Sequence, residues 1–275
     1  MRIGLIGCGR VGVTIFHILK KRHEVIGVYD TDKKNEQAAI RLLGIRKNPP
    51  YRELIEQCEV IFLATPDDAL AKAYQEMYEQ LSGTKYVFHF SGILPADILS
   101  PKKNIHRASV HPFATFPEIT IRTRSRPFVL SIEGDRAAMN KARSIFSPKY
   151  FTLKHLRKQD KALYHLIGVF SSNLLVGLLT AIYDIAHKTG WNDKDLRQLV
   201  FPIIAQTLQN IEQYGLKRSL SGPIPRGDIE TIEKHLKALK KDKRLLKIYR
   251  ELSLFIVENL TSGSKNRRLK KILEE

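Results

Sequence analysis

The chain has 275 residues, with 46 lysines and arginines against 28 acidic residues, and 43% of it is hydrophobic. This excludes disordered and fibrous classes and leaves room for one large domain or two ordinary ones, each with a sizeable core. The formal charge of +18 points to nucleic acid, an anionic membrane or an anionic small ligand. It is nevertheless shared between residues 1–150 (+8) and 151–275 (+10), which fits a solvated basic surface.

Taken in chain order, short β-rich runs alternate with helical patterns over the first 150 residues. Strands are predicted at Ile3–Ile6, Val25–Tyr29, Val60–Ala64 and Tyr86–Phe90, and helices at Val11–Lys20 and Ala69–Leu81. Ala108–Val110, Phe128–Ile132 and Tyr150–Leu153 extend the sheet, with a helix at Ala137–Phe146 between the last two. Such alternation implies an α/β fold: a mostly parallel Rossmann-type sheet with helices on both faces. Beyond about residue 155 the strand signals stop. A long apolar helix is predicted over Lys158–Thr189, then Lys194–Gln213 capped by Asp193, then Ile229–Leu239 and Arg244–Asn259. The expected division is a dinucleotide-binding domain over 1–155, an all-α substrate and dimerisation domain over 156–262, and a disordered basic tail over 263–275.

Leu166 to Ile182 is the nearest approach to a membrane span, but Ser171, Ser172 and Asn173 interrupt it. A span needs about 20 mostly apolar residues, so a buried helix and no membrane partner are expected. Cys8 and Cys58 offer neither a disulfide framework nor zinc-ligand spacing, and no metal site is expected. The N-terminus runs into its first glycines without signal-peptide features. A reducing, cytoplasmic location is the expectation.

Gly7-Cys8-Gly9-Arg10-Val11-Gly12 follows one predicted strand, opens a helix, and precedes a second strand ending in Asp30. That context is what a dinucleotide fingerprint requires. Gly7 permits the turn, Gly9 lets a pyrophosphate approach, and Gly12 lets the helix pack on the sheet. The N–H groups near Arg10 and Val11 would then meet the phosphates. Asp30 is placed to accept hydrogen bonds from ribose hydroxyls, which favours NAD, although Lys33 and Lys34 are close enough to serve the 2′-phosphate of NADP. Ala64-Thr65-Pro66-Asp67-Asp68 and His89-Phe90-Ser91-Gly92 close further strands, so Thr65, Pro66, Ser91 and Gly92 fall on the edge where ligands bind.

His111 closes another strand and is a candidate proton donor or acceptor near neutral pH; a hydrogen-bonded structural role is the alternative, and it is favoured for His89. His165 and Asn173 are polar positions in the apolar helix. Asn173 would bind a substrate, a nicotinamide amide or a neighbouring helix. In Gly222-Pro223-Ile224-Pro225-Arg226-Gly227-Asp228, Arg226 suits a bidentate carboxylate clamp, whereas Asp228 serves either a ligand or as the N-cap of the next helix.

These elements, together with Ser109-Val110-His111-Pro112, Lys161 to His165 and Ser172-Asn173, occur in an order that resembles bacterial Rossmann-like proteins carrying a C-terminal domain of unknown function 2520. The resemblance covers residues 1 to about 260. The family is similar in plan to pyrroline-5-carboxylate reductase, prephenate dehydrogenase and the 6-phosphogluconate dehydrogenase superfamily. It implies a dinucleotide domain, a helical domain, a substrate cleft between them, a homodimer formed through the helices, and NAD(P)-dependent oxidoreductase activity. The resulting expectation is hydride transfer to or from a small anionic carbonyl or imine. In it His111 or His165 handles the proton, Asn173 orients the reacting group, and Arg226, Asp228 and Gly222 form the substrate loop. Two rivals are a non-catalytic dinucleotide sensor and a nucleic-acid binder; the latter lacks any recognisable module, so nucleic acid is not the expected partner.

Overall fold

The structure is a computed structural model that describes residues 1–119, 127–262 and 265–275. It contains two compact units, Met1–Leu175 and Val176–Glu275.

In the first unit, β1 (Arg2–Ile6), β2 (Glu24–Tyr29), β3 (Val60–Leu63), β4 (Lys85–His89), β5 (Ile105–Pro112), β6 (Phe128–Gly134) and β7 (Phe151–His155) form one sheet in the order β2-β1-β3-β4-β5-β6-β7. Every pairing is parallel except β5 with β6. The helices are α1 (Arg10–Leu19), α2 (Lys33–Leu43), α3 (Tyr51–Gln57), α4 (Asp67–Tyr78), α5 (Arg136–Ile145) and α6 (Lys161–Ser171). The sequence pattern passes over α2 and α3. Only Ala39 and Leu43 of α2 are buried, and α3 is two turns long, so neither carries a long apolar stripe. Lysine ammonium groups complete both helices at their carbonyl ends. Lys20 Nζ donates to Leu42 O and Leu43 O, and the buried Lys85 Nζ donates to Glu56 O and Cys58 O.

One face of the sheet packs an aromatic core. Phe62 stacks on Phe88 and Phe90 at 5.2 and 5.4 Å between centroids and meets Phe16 and Phe146 edge-on. The other face is apolar under α3 and α4, through Ile61, Leu63, Tyr74, Met77 and Val87. It becomes polar farther along. His89 pairs with Ser109, Ser109 with Glu133, and His111 with Ser131, so these five side chains share one face across β4, β5 and β6.

The second unit contains α7 (Asn173–His187) from Val176 onward, α8 (Asp193–Ser219), α9 (Pro223–Arg226), α10 (Ile229–Leu239), α11 (Lys243–Leu260) and α12 (Lys265–Glu274). Three expectations change. The helix predicted over Lys158–Thr189 breaks at Ser172 (φ −130°, ψ −73°), and α6 belongs with the sheet, so the compact units divide at 175/176 instead of 155/156. Asn192 caps α8 through a capping box with Asp195, so Asp193 is the first helical residue. The segment expected to be a disordered tail forms α12 over residues 265–274: Leu269 and Leu273 are buried with Ile232 and Val257 in the core of the second unit. Leu269 and Leu273 lie four apart on one face, whereas Arg267, Arg268, Lys270 and Lys271 lie one or two positions from Leu269, so the helix is amphipathic despite its charge.

The apolar stretch expected to be buried is instead exposed. Leu163 and Phe170 of α6, Val176 of α7 and Phe201, Ile203 and Leu208 of α8 are each more than half exposed. Lys158–His187 is long and apolar enough to cross a membrane by length and composition, but it is interrupted at Ser172.

Replacing Leu269 by Ala should destabilise the second unit by about 2–4 kcal/mol, the usual cost of a large-to-small change in a packed core. Urea unfolding followed by far-ultraviolet circular dichroism reads this; an unchanged midpoint would show that α12 does not contribute to that core.

Candidate active site

The glycine loop runs from β1 into α1. Gly7 has φ +94°, and a Cβ there would lie 2.6 Å from the backbone of Ala64, so only glycine fits. Gly12 is held equally close, since its Cβ would meet Ala64 Cβ and Gly7 O at 2.8 Å. Gly9 is exposed with nothing within 4 Å of its Cβ position, and it opens α1 without a side-chain cap or an acidic residue in the first turn. The N–H groups at the start of that turn thus have no side-chain cap, and the space beside Gly9 is open, as a bound pyrophosphate requires.

Asp30, at the end of β2, fastens this loop. Its Oδ2 accepts from Cys8 N at 2.6 Å and its Oδ1 from Asp32 N at 2.8 Å. A carboxylate oxygen has more than one lone pair, so these bonds orient Asp30 and leave acceptor capacity for ribose hydroxyls. Lys33 is turned to Glu36 at 2.9 Å and lies over the Tyr29 ring, while Lys34 is exposed. Burial, with Asp30 nearby, pushes the Cys8 thiol up to about 12, so it stays protonated.

From the loop, a concavity of about 210 Å³ leads past Val11, Thr65 and Phe116 to Ser91, Gly92 and His111. Thr65 Oγ1 is buried and has no hydrogen-bond partner among the described residues, so a ligand hydrogen bond there would satisfy it. Pro66 does not line this space and instead precedes the first residue of α4. The open Gly9 face and the orphaned Thr65 hydroxyl both fit a dinucleotide.

Gly92 lies between two histidines. A Cβ there would fall 2.8 Å from His111 Nε2 and 2.7 Å from His165 Nδ1, so a side chain would displace both rings. His111 Nδ1 lies 3.3 Å from the Tyr164 hydroxyl, which is also hydrogen-bonded to Ser131. When the Tyr164 hydroxyl donates a hydrogen bond to Nδ1, the proton of the neutral ring sits on Nε2, the side next to Gly92. Burial first, then the positive charge of Lys161 and the neighbouring His165, lowers the His111 pKa to about 4. His111 is therefore neutral at pH 7, and an imidazolium proton donor is not its resting form. His89 is structural: it is fully buried, its Nδ1 accepts from Ser91 N, its Nε2 faces Pro95 O, and burial lowers its pKa to about 3.

Sequence reasoning left out of the site the group that organises it. Lys161, 2% exposed, donates to Ser109 Oγ at 2.6 Å and lies 3.6 Å from Glu133 Oε1 and 3.5 Å from Ser91 O. The same Glu133 oxygen accepts from Ala96 N at 2.7 Å. Burial lowers the Lys161 pKa and raises that of Glu133, and their mutual attraction opposes both changes. The signal was present in Lys161-Ala162-Leu163-Tyr164-His165, where 161, 164 and 165 share a helical face.

Within the first unit, Asn173 is not brought into this cluster. Asn173 is exposed just past the helix break, and its Oδ1 lies 2.9 Å from Ser172 Oγ; the break cancels the helical register expected to place it near His165, and it is not the buried amide expected. Arg226, Asp228 and Gly222 belong to the second unit. Asp228 is the N-cap of α10, accepting from Thr231 N at 3.1 Å and Thr231 Oγ1 at 2.8 Å, bonds that hold its carboxyl below the usual range. Arg226 lies 4.0 Å from it, and Gly222 (φ +95°) turns the chain into α9.

Residues 1–117 match the model of a Rossmann-like domain, and residues 128–256 match the domain of unknown function 2520. No curated protein sequence matches the chain. Among solved structures, a candidate NADP oxidoreductase from Bacteroides fragilis is 18% identical with a TM-score of 0.77, covering 94% of this chain and 98% of its own. A Thermotoga maritima protein is 20% identical with a TM-score of 0.67, over 99% and 100%. The pyrroline carboxylate reductase of Plasmodium falciparum, solved with NADP bound, is 15% identical with a TM-score of 0.62, over 99% and 98%. At these identities the likeness is one of fold. The chain belongs to the Rossmann-like proteins that carry a C-terminal domain of unknown function 2520.

Proposed function

We propose that the protein is a nicotinamide-dinucleotide-dependent oxidoreductase acting on a small anionic carbonyl or imine. The observation that carries this reading is the continuity of the open glycine loop, through the orphaned Thr65 hydroxyl, with the paired nitrogens of His111 and His165 beside Gly92. Gly9, Arg10 and Val11 would hold the pyrophosphate, Asp30 the adenosine ribose, and Thr65 with the Ser91–Gly92 backbone the far end of the cofactor. The bound dinucleotide would supply or accept the hydride. A neutral His111 would donate a hydrogen bond from Nε2 to the substrate oxygen or nitrogen, and the proton gained or lost there would be exchanged with water. Burial, helped by the charge of Lys161, would keep it neutral. Arg226 is the proposed holder of an anionic substrate end.

Asp30 supports NAD, whereas two of the similar structures are NADP proteins by name. The proposal therefore names NAD as the favoured cofactor and tests both. The sensor reading shares the cofactor loop but gives no role to two histidine nitrogens facing one glycine. A cytoplasmic location accompanies the proposal.

We further propose a homodimer. Large apolar side chains are exposed on α6, α7 and α8, spread over three helices instead of one uninterrupted span. A second copy presenting the same helices would cover them.

NADH should bind with micromolar affinity and NADPH at least about tenfold more weakly, a difference of roughly 1.4 kcal/mol, read by nucleotide fluorescence. Gly9→Glu should abolish both; binding that survives this change would overturn the assigned loop. Consumption of NADH with candidate keto acids or imines should fall about 100-fold or more in His111→Ala, and bound NADH never consumed by any of them would favour the sensor.

The His111 ring should stay neutral down to about pH 4 in a nitrogen-15 titration, and Lys161→Met should raise that midpoint. Because the folded chain resists protonating His111 while the unfolded chain protonates near 6.5, this group's contribution to stability is full above 6.5 and falls as the pH drops towards 4. An ordinary midpoint near 6.5 would refute the burial argument. Light scattering after size exclusion should give twice the chain mass, and Phe170→Glu with Ile203→Glu should give monomers; a monomeric parent chain would remove the dimer.

A further inference from the structure

The apolar face of the sheet, opposite the row from His89 to Glu133, carries a second concavity. α5 buries Ala138, Ala142 and Ile145 against this face and packs on β4, β5 and β6. β7 lies beyond its cover, which leaves a cavity of about 500 Å³ between helix and sheet edge. Its floor is apolar, from Ile132, Met139 and Leu153, and its rim carries Arg136, Asn140, Arg143 and His155. Periodicity assembles it: 136, 140 and 143 follow one another along a helix face, 153 and 155 share one face of β7, and Ile132 pairs directly with His155.

No carboxylate lines this cavity, and neither Arg136 nor Arg143 has a carboxylate partner among the described residues. An adjoining cavity of about 370 Å³, bordered by the same Gly134 and His155, shows the contrast. There Arg107 pairs with Asp135, Lys158 with Asp97, and Arg157 with Asp160. In the first cavity the Arg143 guanidinium is instead oriented by a neutral group, donating through Nη1 to Asn140 Oδ1 at 2.6 Å. Arg136 opens α5, where a cation opposes the helix dipole, so a bound anion would relieve a repulsion.

We propose that this concavity binds a small amphipathic anion, a carboxylate or phosphate monoester on an apolar body, at a site separate from the dinucleotide loop. Two guanidinium groups take the oxygens in bidentate fashion, His155 and the Asn140 amide reach the head, and the Ile132–Met139–Leu153 floor takes the body. The volume lies within the range of ordinary small-molecule sites, about 300–1,000 Å³.

The test is calorimetry and proton–nitrogen NMR on the full chain in about 150 mM salt, where weak surface attraction is screened. Phenyl phosphate, 3-phenylpropionate and inorganic phosphate are the probes. One or both aryl anions should bind with a Kd of about 1 mM or tighter and shift resonances of Arg136, Arg143 and Leu153; the tighter of the two identifies the head group. The Arg136→Gln/Arg143→Gln variant, altered only at exposed side chains, should weaken binding at least about tenfold while leaving NADH affinity unchanged. Leu153→Asp should weaken it as well. The proposal is overturned if neither aryl anion binds, if the double variant binds as the parent does, or if inorganic phosphate binds as tightly as phenyl phosphate.

Discussion

A single buried ammonium group governs the geometry of the candidate site. Lys161 enters the sheet face where β4, β5 and β6 turn polar, and there it joins Ser109, Glu133 and the Ser91 carbonyl. Removing one partner from such a cluster strands a charge away from water, at about 3–5 kcal/mol, so its members hold one another in place. The consequence for the site is positional. Because Lys161 seats the first turn of α6, Tyr164 reaches His111 and His165 reaches Gly92 one turn later. The same charge also helps keep His111 neutral. Anchoring and electrostatic tuning therefore come from one group.

Much of the first unit could be read from its residues because the features that specify it are local. A glycine turn, a helix start and an acidic strand end within 30 residues define the loop, and Asp30, read from the pattern as a partner of the ribose hydroxyls, also binds the Cys8 amide. The polar sheet face was harder to read. Leu130-Ser131-Ile132-Glu133 alternates like a strand with one face in water, yet Ser131 and Glu133 are 3% and 5% exposed. Only α6, arriving from more than 25 residues away in sequence, converts that polar face into an interior, and alternation along a strand carries no information about its cover.

Hydropathy has a parallel limit. The residues from Leu166 to Ile182 read as buried because apolar side chains avoid water, and that inference does not say which molecule provides the cover. In the chain itself Ile167 is 58% and Phe170 67% exposed. Conversely, the segment after Ser262 reads as a solvated tail because charge outnumbers apolar residues, although two leucines four apart suffice to bury one face of a helix. Mean composition fails in both places for the same reason: burial depends on one face of an element.

The excess of positive charge can now be divided by the work its members do. Lys20 and Lys85 satisfy helix carbonyl ends, where a cation meets both the dipole and otherwise unpaired oxygens. Lys161 organises the site from within. Arg107 and Lys158 are matched by carboxylates, whereas Arg136 and Arg143 are not. A net charge is thus a poor guide to a partner, since cations of the first kinds are already occupied by the fold. The informative cations are those held above an apolar floor without a carboxylate, because the chain surrounds them with the shape of a ligand site but leaves their charge uncompensated.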